Sequence, residues 1–328
     1  MIHTKRTLGG ACVAPHHSAA QAGRDVLQEG GNAVEAMVAA AASIAVVYPH
    51  MNALGGDGFW LIKPANGTPI AIDACGPAGQ AADIDFYTGA GETTIPSRGP
   101  RAALTVAGTI GGWQQALKVA HQLGGNTPVS RLLAPAEQQA REGIVVSQSQ
   151  AALTRAKFDQ LAQQPGFAEV FLSNGQPPSE GDILYQPYLA DTLAQLGHAG
   201  LDDFYRGDLA QTLSQGLEAL GSPVRRADLE AFRARLVEPL HTQLRGSTVY
   251  NLPPPTQGLA SLIILGLFDR LNISEGEGFD HLHGLIEATK AAFTVRDLEC
   301  IDPDWLTDSP ARWLTPEALN EQVKTLSM

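Results

Sequence analysis

The chain has 328 residues, of which 44% are hydrophobic and 17% charged. That supplies a sizeable core and excludes a disordered chain. Lys+Arg 22 against Asp+Glu 34 gives a net charge of −12 with no basic block, which disfavours nucleic acid and anionic membrane as partners.

The predicted elements run as follows. Gly10–Ala14 reads as a short buried strand. Pro15-His16-His17-Ser18 is a turn, with Ser18 as N-cap of a helix that ends at Gly30-Gly31. Asn32 caps a second helix, Ala33–Val47, which is apolar nearly all round and therefore central. It carries Glu35 and stops at Tyr48-Pro49, so it is a buried helix and not a bilayer span. The glycine-rich loop Met51–Gly58 leads into two apolar runs, Phe59–Ile62 and Pro69–Asp73, around Asn66-Gly67, a hairpin signal. Helices are predicted over 113–123, 129–142, 147–163, 188–196 and 204–220. A strand over 245–252 ends at Pro253-Pro-Pro255, and helices follow over 257–271 and 279–299. The tail after Trp305 is polar and weakly patterned. The pattern predicts an α+β fold, one unit over 1–328 with a tail over 305–328. Abundant small residues, Gly 34 among them, favour close layer packing.

Cys12, Cys75 and Cys300 lie far apart with no CxxC pair, so neither a zinc ribbon nor a disulfide framework is indicated. The first ten residues lack an apolar core of signal-peptide length, and the expected location is cytoplasmic. Gly55-Gly56-Asp57-Gly58 could cradle an anion, but it precedes a strand and lacks Gly-Lys-Ser/Thr, so a tight turn is the simpler reading. His283 and Glu287 share a helix face near His281, yet a metal site needs more ligands, and no metal or cofactor is expected. No GxSxG elbow is present. The residues by themselves leave the function open.

Several segments, in order, cover almost the whole chain: Glu29-Gly-Gly-Asn-Ala-Val-Glu-Ala36, Val46–His50, Leu54-Gly-Gly-Asp-Gly-Phe59, Leu104–Trp113, Leu132–Ala136 with Ala140–Gly143, Phe204–Gly207 with Asp228-Leu229, Pro253–Gly258, and Glu287–Phe293 with Arg296 and Asp302-Pro303. Together they resemble the large subunit of the γ-glutamyltranspeptidase family of N-terminal-nucleophile hydrolases. The resemblance implies a four-layer αββα sandwich completed by strands of a small subunit from the same precursor. It also implies self-cleavage before a threonine, expected just after Met328. That threonine attacks an amide carbonyl with its own α-amine as base. No catalytic residue is then expected in this chain. The partners are the small subunit and a small-molecule amide, and the assembly is a heterodimer or a dimer of heterodimers.

In this family an arginine just after the second hairpin strand holds the glutamyl α-carboxylate. Here the stretch reads Asp73-Ala-Cys-Gly-Pro77, with Cys75 at that position. Losing one charged contact costs roughly 1.5–3 kcal/mol, enough to change substrate class. Arg98 and Arg101 are the nearest substitutes, and Asn52 beside the glycine loop is a further candidate substrate contact. These features look most like the oxamate amidohydrolase branch of bacterial urate breakdown, which turns oxamate into oxalate and ammonia. Glutathione hydrolase (γ-glutamyltransferase) and cephalosporin acylase are the alternative activities. An inactive scaffold or binding homologue is the alternative of another class.

Overall fold

The second helix forms as its sequence predicts. In this computed structural model, which describes residue 4 and residues 6–327, the helix spans Ala33–Val47. The Asn32 side chain accepts from the Val34 and Glu35 amides, and Glu35 accepts from the Asn32 amide, closing a capping box. The chain is α+β, as expected, and parts into two compact units.

The first unit runs up to Gly58 and over Ala74–Ala234. Ala33–Val47 is buried on nearly every side. It packs against the helices His17–Gln28, Thr109–Gln122 and Val129–Glu142. Its alanines let those helices come close, which is where the small-residue richness is used. Two buried polar groups are matched across it: Ser43 donates to Gln139 at 2.7 Å, and the Gln186 amide donates to the Val46 carbonyl at 2.9 Å. Glu35 also accepts from the Thr127 amide at 2.7 Å. A two-stranded ladder pairs Ile144–Val145 with Ile183–Leu184.

The second unit holds Phe59–Asp73 and the chain from Arg235 onward. Its three-stranded sheet has the order Gly58–Ile62, Ile70–Ala74, Arg235–Val237. The last pair is antiparallel, with Ala71 opposite Val237 and Asp73 opposite Arg235. A hairpin pairs Leu240–Leu244 with Ser247–Asn251 across Arg245-Gly246. Gly246 takes φ +82°, which favours glycine. The helices Gly258–Arg270 and Phe279–Glu299 enclose a core of Leu259, Leu262, Ile263, Leu267, Ala288 and Ala292.

Some elements depart from the sequence expectation. Gly10–Ala14 forms no strand, and Val13 is exposed. No described strand pairs with it, and the segment instead lies along the first helix, with Cys12 against Gly23 and Gly10 against Leu27. The cap of the first helix is His16 and not Ser18, because the His16 ring nitrogen accepts from the Ser18 amide. The helix predicted over 204–220 breaks into Asp203–Arg206 and Asp208–Ala219. At Gly207 a Cβ would collide with the Asp203 carboxylate, which accepts from the Asp208 amide. The strand predicted over 245–252 is the second arm of a hairpin whose first arm carries polar His241 and Gln243 outward. The tail is ordered as two 3-10 turns, Pro303–Trp305 and Pro310–Leu314, and a helix, Pro316–Val323. Leu314 and Leu319 anchor it in the core, each contributing about 1.5–3 kcal/mol by burial.

Candidate active site

The glycine-rich loop is held by backbone contacts. The Gly56 carbonyl accepts from the Gly108 and Thr109 amides, both at 2.8 Å. The Thr109 hydroxyl lies 2.8 Å from the same carbonyl and 3.0 Å from that of Asp57. Thr109 opens the helix Thr109–Gln122, so one residue starts the helix and clamps the loop. The segment after Ala74 joins them. Val106 donates to the Pro77 carbonyl at 2.9 Å, and Gly79 donates to the Leu104 carbonyl at 2.8 Å. A Cβ at Gly76 would run into the Val106 carbonyl, and one at Gly108 into that of Ala74. These glycines permit the close approach of the two segments.

At this junction Asp57 is exposed and accepts from the Gly76 amide at 3.0 Å and from the Cys75 thiol at 3.8 Å. The position expected to carry arginine therefore carries a thiol beside a carboxylate. Tyr205 supports the junction from behind: its hydroxyl accepts from the Gly111 amide and donates to the Ala107 carbonyl, both at 2.8 Å. Burial pushes its phenol well above the ordinary tyrosine value.

The residues expected from sequence are dispersed. Asn52 is half-buried at the start of the loop, with its amide donating to the Tyr48 carbonyl at 3.1 Å. Arg98 is exposed and donates to the Ser97 carbonyl at 2.7 Å. Arg101 is committed locally. It bonds Glu92, donates to the Phe86 carbonyl at 2.7 Å and stacks 4.1 Å from the Phe86 ring centroid. Both arginines precede Leu104, whose partner is Gly79, so the chain leading back to them runs away from Cys75. Among the described residues no hydrogen bond joins either of them to the glycine loop.

Other candidate chemistry resolves as local pairing. Glu287 bonds Lys290 at 2.6 Å and lies 3.8 Å from His283, and no group of three or more His, Cys, Asp or Glu suited to a metal occurs among the described residues. The Lys290 ammonium beside Glu287 holds its carboxyl below the usual range. Ser149 lies 3.3 Å from the His50 Nε2, but the buried Nδ1 of His50 has no hydrogen-bond partner. The third member that orients a triad's imidazole is missing there. Cys12, Cys75 and Cys300 form no disulfide.

Sequence reasoning missed one pair. In the second unit, Arg235 donates through Nη2 to Oδ2 of Asp73 at 3.0 Å. The two are 162 positions apart, so no local signal could have joined them.

The γ-glutamyltranspeptidase family model matches residues 19–327. The oxamate amidohydrolase proenzyme of Klebsiella pneumoniae is 53% identical over 94% of this chain and 58% of its own length. The glutathione hydrolase-like YwrD proenzyme of Bacillus subtilis is 36% identical over 89% of this chain and 55% of its own length. The chain thus spans a little over half the length of these curated relatives. The crystal structure of Helicobacter pylori γ-glutamyltranspeptidase is similar with a TM-score of 0.91 at 27% identity, covering 99% of this chain and 94% of that one. The glycine loop and the Leu104–Trp113 motif, far apart in sequence, meet at Thr109 within a family match that covers nearly all of the chain, and the chain belongs to the γ-glutamyltranspeptidase family.

Proposed function

We propose that this chain is the large-subunit part of a self-processing amidohydrolase that converts oxamate and water into oxalate and ammonia. The observation that carries the reading is the 53% identity to an oxamate amidohydrolase proenzyme. The exchange of the family's arginine for Cys75, whose thiol donates to Asp57, supports it, since that position itself supplies no guanidinium to a γ-glutamyl α-carboxylate.

The nucleophile is an N-terminal threonine of the small subunit. Its hydroxyl attacks the oxamate amide carbonyl while its α-amine takes the proton, and ammonia leaves. Water then cleaves the acyl ester and releases oxalate. The large chain orients the substrate, with Asn52 at the glycine loop and an arginine on the carboxylate. Arg98 and Arg101 are the arginines the sequence nominates, and Arg101 is already engaged through Nε and Nη2 with Glu92 and the Phe86 carbonyl. Exposed apolar side chains in the second unit favour a partner chain there. Phe59 and Leu61 lie on an edge strand, and Phe279, Leu282 and Ile286 on one helix. The small subunit would cover these and complete the αββα sandwich as strands are added. A cytoplasmic location belongs to the same reading.

The test is ammonia release from oxamate by the complete gene product, run beside turnover of γ-glutamyl-p-nitroanilide. Release from oxamate alone is expected. Turnover of the second substrate alone would transfer the chain to the glutathione hydrolases. A small subunit beginning with a residue other than Thr, Ser or Cys would leave a binding homologue.

A further inference from the structure

Arg235 has an unusual pairing. Its partner Asp73 is buried, with a side chain only 6% exposed, whereas the Arg235 side chain is 57% exposed. The two stand directly opposite in the antiparallel pair of Ile70–Ala74 with Arg235–Val237. A buried carboxylate needs a compensating charge, so Asp73 holds the guanidinium firmly. The guanidinium has five N–H donors in a fixed fork. Among the described residues Arg235 uses one of them, Nη2 to Asp73. The strand Arg235–Val237 ends the sheet order, so no further described strand covers it. The result is a pre-oriented cation with most of its donors turned to solvent, on a strand and not on a loop. Arg101, by contrast, is tied through Nε and Nη2 to Glu92 and the Phe86 carbonyl, and among the described residues Arg98 sits on an exposed loop with only the Ser97 carbonyl to orient it.

We propose that Arg235, oriented by Asp73, is the group that binds the carboxylate of the substrate. The inference rests on the reading that the substrate is a small amide bearing a carboxylate. It makes that reading more specific, because a planar carboxylate of two-carbon size fits a single fork bidentately. The lysine variant isolates the fork, since an ammonium still compensates Asp73 as a point charge but cannot present two parallel N–H donors.

The experiment uses the complete, self-processed protein and the variants R235K and R235Q. Oxamate is compared with oxamide, in which a neutral carboxamide replaces the carboxylate. R235K is expected to raise KM for oxamate by about tenfold or more and to leave kcat and the KM for oxamide near wild type. R235Q is expected to go further in the same direction, and thermal melting reports whether it still folds. Oxalate binding is measured in parallel by calorimetry and is expected to weaken in R235K. Equal loss on both substrates would mean a structural ion pair, and wild-type values for oxamate and oxalate in R235K would remove Arg235 from the site. If the wild type turns over no oxamate, the activity reading falls. The calorimetry still decides Arg235, since wild-type oxalate binding that survives in R235K, or that is absent from the wild type, overturns the proposal.

Discussion

The Tyr205 hydroxyl accepts from the Gly111 amide, and through its own proton it reaches the Ala107 carbonyl, so one phenol ties both sides of the turn that starts the helix Thr109–Gln122. Tyr205 is 1% exposed. Removing the hydroxyl leaves a buried amide and a buried carbonyl without their partner. We expect Tyr205→Phe to lower stability by about 1–3 kcal/mol and to loosen the glycine loop through Thr109. Chemical denaturation of the variant measures the first effect. An unchanged midpoint would mean that water replaces the phenol.

A glycine pair in the same region separates packing from backbone freedom. Gly76 meets the Val106 carbonyl where a Cβ would go, whereas Gly55 has open space. Gly76→Ala should force the two segments apart at a cost of about 1–3 kcal/mol or more. Gly55→Ala should fall within about 0.5 kcal/mol of wild type. Equal denaturation midpoints for the two variants would contradict the close approach.

The parts readable from sequence are those governed by local rules. Asn32 and Glu35 sit three apart and form their capping box, and Val129–Glu142 and Phe279–Glu299 carry the predicted bounds. The parts that escaped are non-local. The strand predicted over Gly10–Ala14 had a suitable pattern, but a strand exists only with a neighbour to bond. The tail predicted over 305–328 looked polar because exposed charged residues such as Asp308, Arg312, Glu317, Glu321 and Lys324 surround the two leucines, Leu314 and Leu319, that anchor it in the core. The site shows the same division. The glycine loop was legible, whereas its clamp by Thr109 spans 53 positions and the Asp73–Arg235 pair spans 162.

Stability should respond to pH through His50. Burial pushes its imidazole below the ordinary histidine value, so the folded chain binds fewer protons there than the unfolded chain. This contribution is complete above the unfolded value of about 6.5 and is lost as pH falls from there toward the folded value. His16 shifts in the same direction, by burial first and by His17 second. Melting temperatures between about pH 7.5 and 5.5 should therefore fall less steeply in His50→Gln than in wild type. A parallel slope would show that His50 takes its proton as easily in the folded chain.

The two sequence-nominated arginines should behave differently from each other. Arg101 bridges Glu92, the Phe86 carbonyl and the Phe86 ring, and its own carbonyl accepts from the Tyr87 hydroxyl at 3.1 Å. Its loss unpins the segment that ends at Leu104 and strips Glu92 of a half-buried partner. Arg101→Ala should lower stability by about 1–3 kcal/mol and reduce kcat and kcat/KM together on any amide, charged or neutral. Arg98 has one bond to the adjacent carbonyl and an exposed side chain, so Arg98→Ala should leave the melting temperature unchanged. Its kinetic effect then decides its role. A rise in KM for oxamate with none for oxamide places Arg98 on the carboxylate in place of Arg235, whereas wild-type kinetics assign it to the solvated surface. Melting curves and steady-state kinetics on both variants, with both substrates, separate a loop-fixing arginine from a ligand-binding one.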